Sequence, residues 1–208
     1  SILINNGSGS FSKTSDIRVN LNPISVISAD FDGDGDMDIA VVNNGSNNVS
    51  ILINNGSGSF SKTSDIGVNS YPMSITSADF DDDGDIDLAV ANNGSNNVSI
   101  LINNGSGSFS KTSDVEANSY PCSVTSTDFD GDGDMDMAVA NAGSDNVSIL
   151  INNGSGSFSK TSDIGVNSNP RSVTSADFDG DGDMDLVVAN KNSDDVSILS
   201  NRNKEAYI

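Results

Sequence analysis

The sequence predicts an all-β fold, a β-propeller built of four-stranded antiparallel blades. Three observations lead there. A 49-residue unit recurs four times. Each unit divides into four short apolar runs separated by Gly- and Asn-rich turns, and nothing in it has helical spacing or a helix cap. A period of roughly 20 to 50 residues points to a solenoid, a propeller or an array. Solenoid rungs are usually shorter and stack in ladders, so a unit with three hairpin turns suits a blade.

The second full unit shows the plan. Its first strand, about Met73 to Asp79, follows Pro72, which suits a strand entrance because proline has no ladder donor. The second strand, Ile86 to Asn92, is a nearly continuous apolar run, as expected for a strand covered on both faces. Its alanines suit a crowded position where blades meet. After the turn Asn93 to Asn97 comes a third strand, Val98 to Asn103, and then Asn104-Gly105-Ser106-Gly107, whose Asn-Gly pair predicts a tight hairpin. The fourth strand lies near Ser108 to Val115, anchored by Phe109.

The units run at about 21–69, 70–118, 119–167 and 168–201, after N-terminal strands in 1–20 and before a tail, 202–208, that leaves the pattern. Together, 1–208 read as a single repeat domain. The segment Ser10 to Val19 copies a fourth strand with no first strand before it, and the last unit has no fourth strand after Ser200. Three arrangements answer to this: a small four-bladed ring closed by the N-terminal strand, an eight-bladed ring made by a strand-exchanged homodimer, or a piece of a larger propeller. Ser1 to Asn6 and Ser197 to Asn201 compete for one third-strand place, which weighs against the simplest closure.

The chemistry lies between first and second strands. Asp30-Phe31-Asp32-Gly33-Asp34-Gly35-Asp36-Met37-Asp38 puts an Asp at every second position and a Gly in sixth place. The stretch returns as Asp79, Asp81, Asp83, Asp85 and Asp87, as Asp128, Asp130, Asp132, Asp134 and Asp136, and as Asp177, Asp179, Asp181, Asp183 and Asp185. Two like charges about 5 Å apart cost roughly 3 kcal/mol at an effective dielectric near 20, so something positive belongs among them. Alternating oxygens around a Gly-permitted turn match a loop that wraps a hard cation such as Ca2+, one per repeat and four per chain. The helix-flanked EF-hand loop is excluded. It needs a glutamate in twelfth place, where Val41, Val90, Val139 and Val188 stand.

Charge distribution agrees. Of 30 acidic residues, 21 lie in the four loops, five in each with a sixth, Asp82, in the second. The nine acids elsewhere balance the nine Lys and Arg, so the net charge of -21 belongs to the loops and not to a disordered acidic chain. A pI near 4.1 without a basic cluster excludes nucleic acid as a partner. No apolar run approaches the roughly 20 residues of a membrane-spanning helix. The single Cys122 stands where the sister repeats carry Ile24, Met73 and Arg171, so it reads as a core or rim thiol rather than a nucleophile.

These residues resemble the FG-GAP/VCBS repeats, the calcium-binding blades of integrin α-subunit propellers and of many bacterial surface proteins. The resemblance covers essentially the whole chain and is carried by Ser77 to Asn92 and its copies from Ser28, Ser126 and Ser175. The family's Asp-x-Asp-x-Asp-Gly-x-x-Asp signature falls on Asp30, Asp32, Asp34, Gly35 and Asp38 and their equivalents. It implies that calcium sits between first and second strands on one face of the disc. The Phe-Gly and Gly-Ala-Pro landmarks of integrin repeats are not clearly present, which favours the bacterial-type branch.

The opposite face carries the second-to-third and fourth-to-first connections, where the repeats differ most. Tyr71 and Tyr120 there could stack on a sugar, so a glycan or protein ligand is expected on that face. Catalysis is not expected: the chain has no His, and its paired carboxylates are claimed by the loops. The sequence therefore predicts a calcium-stabilised extracellular or cell-surface binding or adhesion module. The alternatives are a carbohydrate-active propeller enzyme, a lyase or hydrolase, and a purely structural or designed repeat scaffold.

Overall fold

The computed structural model describes residues 1–202, and among these every regular element is a β-strand. Residues 203–208 of the predicted tail lie outside the described residues. A two-stranded hairpin, β1 (Ile2–Asn5) and β2 (Phe11–Ser15), comes first. Three four-stranded meanders follow. They comprise β3 (Pro23–Ala29), β4 (Asp38–Asn43), β5 (Asn48–Asn54) and β6 (Phe60–Gly67); β7 (Pro72–Ala78), β8 (Asp87–Asn92), β9 (Asn97–Asn103) and β10 (Phe109–Glu116); and β11 (Pro121–Thr127), β12 (Asp136–Asn141), β13 (Asn146–Asn152) and β14 (Phe158–Gly165). A three-stranded sheet of β15 (Pro170–Ala176), β16 (Asp185–Asn190) and β17 (Asp195–Leu199) ends the array. The predicted strands of the second unit agree with these bounds to within a residue.

The sheets stand as blades around an axis. Their first strands pack in succession, β3 on β7, β7 on β11 and β11 on β15, and so line the inner edge. The second strands of the middle blades, β8 and β12, are buried on both faces because successive side chains alternate between the two neighbouring blades. In β8, Leu88 and Val90 join Ala40, Val42, Val49 and Ile51 of the first blade, while Ala89 and Ala91 join Met137, Val139 and Leu150 of the third. The same pattern carries Ala138 and Ala140 onto Leu186 and Val188 of the fourth. Alanines on one side leave room for the larger residues of the next sheet.

The Asn-Gly segment forms the expected tight hairpin, and Asn103 pairs with Phe109 across a five-residue loop. Asn104 Oδ1 accepts from the Ser106 amide at 3.1 Å and its own amide donates to Ser108 O at 3.2 Å, while Gly105 and Gly107 take φ of +76° and +70°. Of the three arrangements open to the chain ends, completion of the last blade by the N-terminal fourth-strand copy is not the one formed here. That copy pairs with β1, Asn5 opposite Phe11, because the third-strand copy beside it supplies the usual hairpin partner. Among the described residues no strand of β1–β2 pairs with the β15–β17 sheet, so the blades form an open arc.

Phe80 is buried between blades, edge-on to Phe158 with centroids 5.4 Å apart. Phe80→Ala is expected to cost about 3–5 kcal/mol in denaturant unfolding, against less than about 0.5 kcal/mol for a Ser→Ala change on an exposed outer strand.

Candidate metal centre

Each first-to-second-strand connection is a tight acidic loop held by its own backbone. Asp30 Oδ1 accepts from the Gly33 amide at 2.8 Å and Oδ2 from the Gly35 amide at 2.9 Å. Asp128 and Asp177 repeat both bonds. In the second loop Asp82 replaces the first glycine at φ +63°, and Asp79 accepts instead from Asp83 and Gly84. The sixth-place glycines have φ between +91° and +101°, a region that disfavours side chains.

Four carboxylate triads result: Asp30 with Asp32 and Asp38, Asp79 with Asp81 and Asp87, Asp128 with Asp130 and Asp136, and Asp177 with Asp179 and Asp185. In each, one oxygen from every residue lies within 4.8 Å of the others. First, third and ninth places of the predicted loop therefore converge. The fifth and seventh places, Asp34 and Asp36, Asp83 and Asp85, Asp132 and Asp134, Asp181 and Asp183, stand outside the triads. Asp34, Asp83, Asp132 and Asp181 instead accept from the amide two residues on. Asp36, Asp85 and Asp134 lie against Gly56, Gly105 and Gly154 of the hairpin in their own blade, so closely that a Cβ there would collide with the carboxylate.

The ninth-place carboxylate is the anchor. Asp87 is fully buried; its Oδ2 accepts from the Phe80 amide at 2.9 Å and its Oδ1 from the Asn103 amide at 2.7 Å. Asp38, Asp136 and Asp185 make the same pair of bonds. Burial pushes Asp87 and Asp136 up to about 6, the amide bonds opposing and the neighbouring carboxylates adding to the rise. Burial first, then like charge, also raises Asp32 and Asp81. Oxygen-only donors converging on one buried carboxylate in a mutually repelling cluster fit a hard divalent cation, which would neutralise the triad and accept its free lone pairs.

Sequence reasoning missed the strand-end asparagines. Asn103 ties its own blade's Asp87 through its amide, and its Nδ2 donates to Phe31 O of the preceding loop at 2.8 Å. Gly107 N donates to the same carbonyl at 2.8 Å, and Phe31 stacks edge-on against Phe109 at 5.3 Å. Asn152 and Gly156 clasp Phe80 in the same way. The first two loops are thus gripped by the next blade's hairpin, and Phe129 O of the third accepts from Asn201 Nδ2 at 2.7 Å. A signal existed: the altered last copy, Ser197-Ile198-Leu199-Ser200-Asn201, loses an isoleucine but keeps the asparagine.

Tyr71 and Tyr120 are exposed and stand at φ +52° and +58°, a left-handed conformation that is uncommon for an aromatic residue. Their amides donate to Asn47 and Asn96 of the preceding blade at 2.9 and 3.0 Å. Each ring crosses a glycine, Gly94 or Gly143, whose Cβ would strike it. Cys122 is buried, its thiol raised by that burial, and donates to Pro170 O at 3.1 Å.

Fold and site define a propeller whose blades each carry one acidic loop. The chain belongs to the FG-GAP-like repeat family, whose model matches residues 1–41, 30–90, 79–139 and 128–188. No curated protein matches it. Among solved structures, a Bacteroides uniformis protein assigned as a 6-phosphogluconolactonase is similar, with TM-score 0.73 and 12% identity over 94% of this chain and 59% of that one. A Lactobacillus plantarum protein follows at TM-score 0.62, 12% identity, 98% and 63%, and the periplasmic gluconolactonase of Pseudomonas aeruginosa at 0.58, 16%, 86% and 43%. The chain spans less than two thirds of each, and the likeness concerns the fold alone.

Two outcomes are expected. Asp87→Asn should lower the number of divalent ions bound per chain from four to three, counted by calorimetric titration, because it disarms one of four triads. In chelator, melting temperature should rise as pH falls from about 7 to about 5. Asp87 and Asp136 titrate near 6 when folded and near 3.9 when unfolded, so the folded state takes up protons in that window and gains stability. In saturating calcium the trend should reverse, since protons then displace the ion.

Proposed function

We propose that the chain is a calcium-stabilised extracellular or cell-surface binding module, of the adhesion type, without catalysis of its own. The observation that carries this is the fourfold triad, one buried carboxylate with two partly or fully exposed ones in each first-to-second-strand loop. Calcium suits it better than magnesium because flexible, carboxylate-rich oxygen cages favour the larger ion. Zinc and other softer metals are disfavoured by the lack of any histidine and by the distance in sequence of the single cysteine. Affinities of about 10⁻⁴ to 10⁻³ M, typical of extracellular calcium modules, would be met outside cells. That affinity range is the support for the proposed location.

Ligand binding is assigned to the face opposite the loops. Tyr71 and Tyr120 hold a backbone conformation that Asn22 and Asn169 adopt more cheaply at the same place in sister repeats. The exposed rings are thus kept despite a local cost, and a pair of aromatic platforms ringed by Asn and Ser side chains suits a glycan. No histidine is available as a base, and the one thiol is buried and held protonated, which favours binding over turnover.

Calcium should raise the melting temperature, since it binds the folded loops and not the unfolded chain; equal melting in calcium and in chelator would remove calcium from the proposal. A glycan array with Tyr71→Ala/Tyr120→Ala as control addresses the ligand. Binding lost in the double variant without cleavage supports the reading, and turnover of a polysaccharide would replace it with an enzyme.

A further inference from the structure

The tripeptide Asn-Gly-Ser occurs five times in the blades, in two settings, and we propose that one setting makes it a site of self-modification, where asparagine converts to aspartate and isoaspartate without an enzyme. Asn55-Gly56-Ser57, Asn104-Gly105-Ser106 and Asn153-Gly154-Ser155 lie in the hairpins between third and fourth strands. Asn44-Gly45-Ser46 and Asn93-Gly94-Ser95 lie in turns between second and third strands, on the opposite face. The residues are the same and their surroundings differ.

In the hairpins the reacting groups are free and activated. Asn104 Oδ1 accepts from the Ser106 amide at 3.1 Å and from the Ser106 hydroxyl at 2.7 Å. Asn55 and Asn153 take the same pair of donors from Ser57 and Ser155 at the same distances. Two donors on one oxygen polarise the carbon it is bonded to and stabilise negative charge developing there, as an oxyanion hole does. The three asparagines are exposed, and among the described residues the amides of Gly56, Gly105 and Gly154 have no hydrogen-bond partner. Glycine has no side chain to shield its own nitrogen.

On the opposite face the same atoms are occupied. Asn44 and Asn93 are half-buried, and their Nδ2 groups donate to Pro72 O at 2.9 Å and Pro121 O at 3.2 Å of the following blade. Gly45 N and Gly94 N donate to Leu21 O and Ser70 O, both at 3.0 Å. The Ser46 and Ser95 hydroxyls accept from the Leu21 and Ser70 amides instead of donating to the asparagine. Nucleophile, leaving group and activating hydroxyl are all engaged elsewhere.

The reaction needs only water. The glycine nitrogen gives its proton to solvent and attacks Cγ of the preceding asparagine, and the new N–C bond leaves negative charge on Oδ1. Collapse breaks the Cγ–Nδ2 bond as Nδ2 takes a proton and departs as ammonia. Water then opens the five-membered imide at either carbonyl, giving aspartate or isoaspartate. Either product adds a negative charge in hairpins whose Gly56, Gly105 and Gly154 lie against Asp36, Asp85 and Asp134 of the acidic loops. Isoaspartate at Asn104 also lengthens the backbone of the hairpin that holds Gly107 N on Phe31 O.

The full chain, aged in mildly alkaline buffer, is digested with trypsin and sequenced by fragment mass spectra. Val19 to Lys62 carries Asn44 with Asn55, and Thr63 to Lys111 carries Asn93 with Asn104, so two of the hairpin sites have a control in the same peptide. Asn55, Asn104 and Asn153 should convert at least about 10-fold faster than Asn44 and Asn93, and in denaturant the two classes should convert at one rate. Ser106→Ala should slow Asn104 about 5- to 10-fold, and Ser106→Thr, which keeps the hydroxyl, should restore it. Equal conversion of both classes in the folded chain, a difference that persists in denaturant, or a Ser106→Ala variant as fast as the parent overturns the proposal.

Discussion

In every blade a buried carboxylate at the ninth loop place is held from two directions, by the amide of the loop's phenylalanine and by the amide of the asparagine ending the third strand. Burying such a group is costly unless its charge is met, and two amides meet only part of it. The remaining charge, with two more carboxylates within 4.8 Å, is what equips the loop to hold a cation. The loop shape, the strand that follows and the capacity to take an ion are therefore consequences of one arrangement.

That arrangement does not stop at the blade. The phenylalanine whose amide binds the buried carboxylate sends its ring into the next blade's core and its carbonyl to the next blade's Asn and Gly donors. An ion that fixes the loop thus fixes the contact between blades. In an array where each unit meets only its neighbours, stability is close to a sum of unit and interface contributions. Binding at one loop should then strengthen the joint beyond it. Outer-strand pairs such as Lys111 with Asp114 at 2.8 Å are partly solvated and contribute little beside this.

Much of the fold was legible because the repeat multiplies every signal. The continuous apolar run Leu88 to Ala91 announced a strand covered on both faces, and the alternating aspartates announced the loop. The loop length of the hairpin was not legible: Asn-Gly signals a tight turn, and the five-residue loop depends on the Asn104 side chain and on Gly107 reaching a neighbouring blade. Within the site, all five aspartates per loop looked alike in sequence. Only folding separates Asp38, which points inward, from Asp36, which turns toward Gly56. The inter-blade role of Asn103 was hidden for the same reason, since its partner Phe31 is 72 residues away.

The coupling of ion and blade contact can be observed amide by amide. Hydrogen exchange at Gly107 N, which donates to the Phe31 carbonyl from the adjacent blade, reports the contact and lies outside the acidic loop itself. Calcium should slow exchange at Gly107 and Gly156 together with the amides of Phe31 and Phe80. Protection confined to the loop amides, with Gly107 and Gly156 exchanging equally fast with and without calcium, would contradict the account.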